Sequence, residues 1–331
     1  MSARRLPHLA ACSLLALGLL LIAAGLWLGT LRLSAQQIWD ALWLQGVPMH
    51  QTVILQWRLP RLLMAILVGM ALAVAGGIFQ SLLRNPMGSP DVIGFNTGAW
   101  SGVLVTVVVL HGGEMAMAFG SLLGGTLTAA LIFALSWQNG LSRLRLILIG
   151  IAVSAILSAL NVWLMMSATL DSAMTAVLWS LGSLNGMTWQ KCLPVMAGVL
   201  PCLLLCLAGQ PPLRQLELGD DTAAATGVRV QPVRVLLMLA ATALTAIATT
   251  MTGPIPFIAL AAPAITARLT GQPSPALWLI GLTGAVLLLA ADLLAQHALP
   301  GTQLPVGILS VSLGGGYLLL LLLRQTRTSM P

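Results

Sequence analysis

Residues able to do covalent chemistry are scarce in this sequence, and their spacing assembles none of the familiar machinery. The single lysine, Lys191, does not follow a glycine-rich loop, which excludes a Walker A phosphate cradle. The four histidines, His8, His50, His111 and His297, stand apart from one another, and neither H-E-x-x-H nor G-x-S-x-G occurs. Four cysteines, Cys12, Cys192, Cys202 and Cys206, lie in or beside apolar runs without metal-type pairing. Cys202 and Cys206 are one helical turn apart and read as small packing residues. There is no cluster of carboxylates for paired acid and base work. Neither enzymatic activity nor a resident cofactor or metal is therefore expected of this chain.

Polar residues that could line a path are easier to find. Ser154, Ser158, Asn161 and Met165 are spaced 4, 3 and 4 apart, and Thr242, Thr245, Thr249 and Thr252 are spaced 3, 4 and 3. Each set makes one stripe along a helix. Such a stripe can border water, but hydroxyl residues also populate tight helix contacts in membranes, and both readings stay open. Dense glycines at Gly76-Gly77, Gly124-Gly125 and Gly314-Gly315-Gly316 read as close helix approaches.

The elements that must carry these stripes follow from composition. Of 331 residues, 58% are apolar and only 7% charged, against roughly 25% charged in an average soluble domain. A spanning helix needs about 20 mostly apolar residues to cross the hydrocarbon layer. Such runs fall near 9 to 29, 61 to 82, 91 to 110, 115 to 137, 144 to 166, 189 to 209, 233 to 252, 257 to 269, 276 to 297 and 305 to 323. The fold class expected is all-α, a polytopic membrane protein of about ten spans forming one domain over residues 1 to 331. The run from Cys12 to Leu28 follows Arg4 and Arg5 but lacks an A-x-A site, so it reads as a retained helix. The eighth span is short and interrupted by Pro254, Pro256 and Pro263, a break tolerated only where protein or a water-filled cavity surrounds it.

Net charge is +7, yet the basic residues are scattered singly, so no patch suits nucleic acid. Their distribution instead sets the orientation. With the N-terminus inside, Arg4, Arg5, Arg84, Arg143, Arg145, Arg214, Arg229, Arg234, Arg268, Arg324 and Arg327 fall inside, and only Arg32, Arg58, Arg61 and Lys191 outside. Both termini are then cytoplasmic.

Two connecting segments exceed a tight turn. Outside, residues 30 to 60 hold an amphipathic stretch, with Leu33, Ile38, Leu42 and Trp43 on one side, suited to a helix lying on the interface. Inside, residues 210 to 232 carry Glu217, Asp220 and Asp221 in a short polar helix between Pro211, Pro212 and Pro232, and offer a cytoplasmic partner something to grip. The acid clearly within a span, Asp292, lies toward its outer end and reads either as a satisfied buried carboxylate or as an ion site. With so few ionisable groups at depth, energy is expected to come from a partner subunit. An ion-coupled secondary transporter is the alternative, and a non-transporting scaffold a third reading.

In order along nearly the whole chain, the sequence resembles the ten-span permeases of ABC importers for iron-siderophores, haem and vitamin B12. The match runs through Trp57-Arg58-Leu59-Pro60-Arg61, then Gly77-Ile78-Phe79-Gln80-Ser81-Leu82-Leu83-Arg84-Asn85-Pro86 with Pro90, Gly94 and Gly98-Ala99. It continues through Leu218-Gly219 with Gly227-Val228, Gly253-Pro254-Ile255 with Phe257-Ile258, and Leu304-Pro305-Val306-Gly307. The stretch from Gly88 through Asp91, Val92 and Ile93 to Trp100, together with Gly182-Ser183-Leu184-Asn185-Gly186, is most similar to the ferric enterobactin branch.

The resemblance implies a permease subunit of the bacterial cytoplasmic (inner) membrane, paired with a homologous permease chain, two ATPase subunits and a periplasmic binding protein. Its cargo would be a ferric siderophore of the catecholate type, with ATP and Mg held in the partner ATPase and iron travelling as a chelate. It further implies that residues 210 to 232 form a coupling helix docked on the ATPase, with Glu217, Gly219, Asp220, Asp221 and Gly227 as coupling residues. Arg58 and Arg61 match arginines that pair with glutamates on the binding protein. Asn85 with Met87, and Arg143 with Leu144, match cytoplasmic gates, and the stripe of Ser154, Ser158, Asn161 and Met165 would face the translocation path. The chain departs from the family at Gln296, where the vitamin B12 permease has a third docking arginine, and at Pro263-Ala264, where most members have Pro-His.

Overall fold

Backbone N–H and C=O groups find no partners in hydrocarbon, so apolar runs must satisfy them internally, and each expected span is helical in a computed structural model. The structure describes residues 6–29, 31–90, 94–138, 140–299 and 302–316. Arg4, Arg5, Arg324, Arg327, Asp91-Val92-Ile93, the end of the tenth span and both termini lie outside them.

In chain order the helices are α1 (Leu6–Trp27), α2 (Ala35–Leu42), α3 (Pro48–Leu83), α4 (Phe95–Val109), α5 (Glu114–Ser136), α6 (Arg143–Met166) and α7 (Leu170–Ser180). They continue as α8 (Trp189–Ala208), α9 (Gln210–Leu218), α10 (Asp220–Ala225), α11 (Val230–Thr252), α12 (Ile258–Thr270), α13 (Leu277–His297) and α14 (Val306–Gly316). Seven of them (α1, α3, α5, α6, α8, α11 and α13) are long and apolar enough to cross a membrane, while α4, α12 and α14 are shorter apolar helices. The protein is thus an all-helical, multi-pass membrane protein.

The bundle is built around α3. In its most apolar stretch 83% of residues are buried, against 11% in α1 and 22% in α6, so α1 and α6 present their faces to lipid or to other chains. Helices α8, α11, α12 and α13 pack around α3. Gly76 makes one of these crossings possible, because a Cβ there would lie 1.8 Å from the Ala259 carbonyl oxygen. The threonine stripe on α11 belongs to this core: Thr242, Thr245, Thr249 and Thr252 are all buried. Thr242, Thr245 and Thr252 donate to the carbonyls of Met238, Ala241 and Ala248, which satisfies these hydroxyls within the packed core, although Thr252 also borders an outward cavity.

Four features correct the sequence reading. Span two begins at Pro48, not near 61, so Arg58 and Arg61 sit inside a helix. A wide π-helical turn over Thr52–Arg58 carries the chain toward Pro60, whose ring and missing N–H would break a regular turn. The amphipathic outer stretch does form a helix, α2, capped reciprocally by Ser34 and Gln37. Leu33 and Ala41 pack inward, but Leu42, Trp39 and Trp43 are exposed. A short outer helix, α7, was not expected at all. The inner segment is two helices rather than one, broken at Gly219, whose φ of 132° disfavours any side chain.

The broken backbone near the eighth span is satisfied by protein. Ser183 N–H donates to the Thr252 carbonyl at 2.7 Å and Gly307 N–H to the Gly182 carbonyl at 3.0 Å, tying the connection after α7 to the end of α11 and the start of α14.

Candidate functional site

The inner segment is where charge concentrates. Helix α3 ends on Arg84, whose left-handed backbone (φ 49°, ψ 41°) closes the helix and turns its side chain toward α9 and α10. There Arg84 Nη2 donates to the Leu216 carbonyl at 2.9 Å. One turn earlier, Ser81 Oγ donates to Glu217 at 2.6 Å, and Ser274, from the α12–α13 connection, donates to the same carboxylate oxygen at 2.9 Å. Gln210 accepts from Leu277 N–H at 3.1 Å, so α9 supplies a cap that the start of α13 otherwise lacks.

Asp220 is the centre of this arrangement. Arg234, buried at the start of α11, reaches both of its carboxylate oxygens at 2.7 and 2.8 Å. Arg143, opening α6, lies at 3.3 Å, and Arg84 at 3.8 Å. Three spans therefore converge on one carboxylate. Partial burial alone would raise the Asp220 pKa, but the Arg234 hydrogen bond and the charges of Arg234, Arg143 and Arg84 hold it below the ordinary carboxylate range.

Two of the three inner acids thus face their own chain. Asp221, Leu218, Arg214 and Gly227 are among the residues exposed on the outside of the segment, with Gly227 at a φ of 87°. Asn85 turns back on its own loop, where its Oδ1 accepts from Met87 N–H at 2.9 Å, and Met87 and Leu144 are exposed. A cavity of about 430 Å³ separates α3 from α9 and α12, lined by Gln80, Ser81, Arg84, Glu217, Ser274 and Ala264.

At the outer end the geometry is simpler. Arg61 forms a bidentate pair with Asp292, Nε to Oδ2 at 2.9 Å and Nη2 to Oδ1 at 2.8 Å. Gln296 donates to Asp292 at 2.8 Å, and Arg61 donates to Gln303 at 3.1 Å. The Asp292 side chain is 1% exposed and that of Arg61 12%. Arg58 contacts no carboxylate among the described residues; its guanidinium donates to the carbonyls of Leu26 and Leu31. Both arginines border an outer cavity of about 240 Å³ with Trp57 and Gln296.

On the flank, Ser158, Asn161 and Met165 line a cavity of about 590 Å³ together with Thr97 and Trp100 of α4. Ser154 is not part of it and lies against Gly94. The sequence reading missed Ser81, Arg84, Arg234, Ser274 and the tie between Arg61 and Asp292. Ser81 and Arg84 stand in the matched motif, Arg84 and Arg234 at span ends, and Arg61 and Asp292 stand out separately, but nothing in the sequence joins them.

Comparison with known proteins gives a consistent result. The FecCD transport family matches residues 15–324, and the chain belongs to that family. It is 49% identical over 310 residues to the ferric enterobactin transport system permease protein FepG of Escherichia coli (strain K12), covering 92% of this chain and 94% of that protein. It is 35% identical over 321 residues to the achromobactin transport system permease protein CbrC of Dickeya dadantii (strain 3937), covering 94% and 90%. Among solved structures, an inward-facing metal-chelate type ABC transporter superposes with a TM-score of 0.86 at 29% identity, covering 96% of this chain and 99% of that one.

Proposed function

We propose that this member of the FecCD transport family is a permease subunit of an ABC importer that moves a ferric siderophore across the bacterial cytoplasmic membrane, from periplasm to cytoplasm. In this reading it pairs with a homologous permease chain, two ATPase subunits and a periplasmic binding protein. The cargo is a catecholate chelate, a choice supported by the 49% identity to FepG.

One observation carries the mechanism: the segment from α9 to α10 is bonded to the inner ends of α3, α6, α11 and α13. A push on its exposed side, at Leu218, Asp221 and Gly227, is then transmitted to four spans at once rather than absorbed by a flexible loop. Closure of an ATPase dimer would bias two arrangements of the spans. Glu217, Gly219 and Asp220 act as the internal half of this coupling and Asp221 with Gly227 as the external half. Asn85 with Met87, and Arg143 with Leu144, border the inner exit.

At the outer end, Arg58 is the group available to a binding-protein carboxylate. Arg61 reaches one only by sharing its guanidinium with Asp292. That same commitment argues against an ion-coupled carrier, since Asp292 is already neutralised and hydrogen-bonded.

The test is reconstitution. The chain with its partner permease and ATPase should accumulate a ferric tris-catecholate chelate in liposomes only with ATP and binding protein. Accumulation by the purified chain alone, on a proton or sodium gradient, would overturn the reading.

A further inference from the structure

Two tryptophans that the translocation stripe does not include stand between two cavities. Trp100 projects from α4 and Trp179 from α7, with ring centroids 6.1 Å apart and planes inclined by only 12°. Trp100 lines the lateral cavity of about 590 Å³. Trp179 lines a second, outward one of about 720 Å³, with Ser183, Asn185 and His111. Neither ring is fully buried, so each keeps indole surface open to a cavity.

An independent feature of the lateral cavity asks for a ligand. Asn161 is 5% exposed, and its Nδ2 donates to the Thr97 carbonyl at 3.4 Å, leaving Oδ1 as the remaining acceptor. Among the described residues that oxygen has no hydrogen-bond partner. A buried acceptor left without a donor costs free energy, and a passing ligand or water that brings one removes the cost. The rest of the lateral lining, including Ser158, Thr97, Val162 and Met165, carries no charge.

We propose that Trp100, with Trp179 stacked against it, forms an aromatic platform in the lateral cavity that receives a flat ring of a ring-bearing ligand, while Asn161 Oδ1 accepts from a donor on its rim. The inference rests on the permease reading above and on its catecholate cargo. Without a formal charge on the lateral wall, an anionic chelate is held by its ring faces and not by an ion pair. Stacking and one hydrogen bond give an attachment weak enough to release, as a conduit requires. Trp179 also explains why α7 exists: the short outer helix brings the second ring to the first.

The experiment uses the complete importer in liposomes, with uptake of a ferric tris-catecholate chelate and of a ferric trihydroxamate chelate, which has no rings. Trp179→Phe should keep half-saturation for the catecholate within about twofold of wild type, whereas Trp179→Met, similar in bulk, should raise it roughly three- to tenfold. Trp100→Phe and Trp100→Met should repeat the pattern from the other helix, and membrane level and complex size serve as folding controls. A packing role would follow side-chain volume, so equal behaviour of the Phe and Met variants at both positions would overturn the platform while leaving the importer reading intact. If the wild-type importer carries the trihydroxamate and not the catecholate, the cargo assignment itself falls, and the platform with it.

Discussion

The two ends of the bundle hold charge in opposite ways. Outside, one arginine meets one aspartate in a nearly dry bidentate pair that braces α3 against α13. Inside, one half-exposed aspartate is shared among three arginines from three spans. A closed pair has one arrangement and loses heavily if either partner goes. A shared carboxylate can give up one arginine and keep two, so its contacts can be exchanged while the spans move. The outer site therefore reads as a fixed point and the inner one as a joint.

The largest effect should come from breaking the fixed point. Asp292→Ala leaves the Arg61 charge buried without its counter-ion, at a cost of roughly 3–5 kcal/mol. Thermal unfolding in detergent should show it as a large loss of stability. The double variant Arg61→Met with Asp292→Leu should recover most of that loss, because a well-packed apolar pair replaces a buried ion pair at little cost. A stable Asp292→Ala single variant would erase the distinction between the ends.

The inner joint should fail differently. Asp220→Ala should cut ATP-driven uptake by roughly tenfold or more, the size expected of a lost inter-site coupling, while membrane level changes little because the site is half open to water. Asp221→Ala, one residue along but exposed, tests the internal against the external half of the segment and should reduce uptake less. Equal losses at the two positions would mean that the carboxylates serve only ATPase docking.

A third, smaller effect separates the outer arginines. Arg58→Glu should weaken binding-protein affinity by roughly fivefold, since a partly exposed charge pair contributes on the order of 1 kcal/mol, with a smaller loss of stability than at Arg61, from its lost bonds to the Leu26 and Leu31 carbonyls. Arg61→Glu should instead behave as a folding defect, through repulsion from Asp292. If both variants merely lowered affinity, Arg61 would be a docking residue like its neighbour.

This asymmetry was only partly legible in the sequence. The spans could be read because hydropathy is local, and the stripe of Ser158, Asn161 and Met165 because helical spacing is local. Arg61 and Asp292 are 231 residues apart, and Ser81 and Glu217 are 136 apart; no periodicity connects them. The acids of the inner segment stand out in the sequence, but composition cannot tell a carboxylate that faces a partner from one that faces home. Helix α7 escaped notice because its 11 residues are too few to span and too apolar to look like a loop.

The smallest expected effect is the response of the inner joint to pH. The Asp220 carboxyl is held below its ordinary range by Arg234, Arg143 and Arg84 against the opposing effect of burial. A group whose pKa is lower in the folded than in the unfolded chain contributes its stabilisation in full above the unfolded value, about 3.9 for aspartate, and loses it as pH falls through the folded value. Between about pH 5 and pH 8, above both the unfolded and the lowered folded value, the aspartate stays ionised. The difference in unfolding temperature between wild type and Asp220→Asn should therefore be flat across that interval and shrink only in stronger acid. A difference that changed between pH 6 and pH 8 would place a different titrating group at the joint, and the three-arginine account of it would fail.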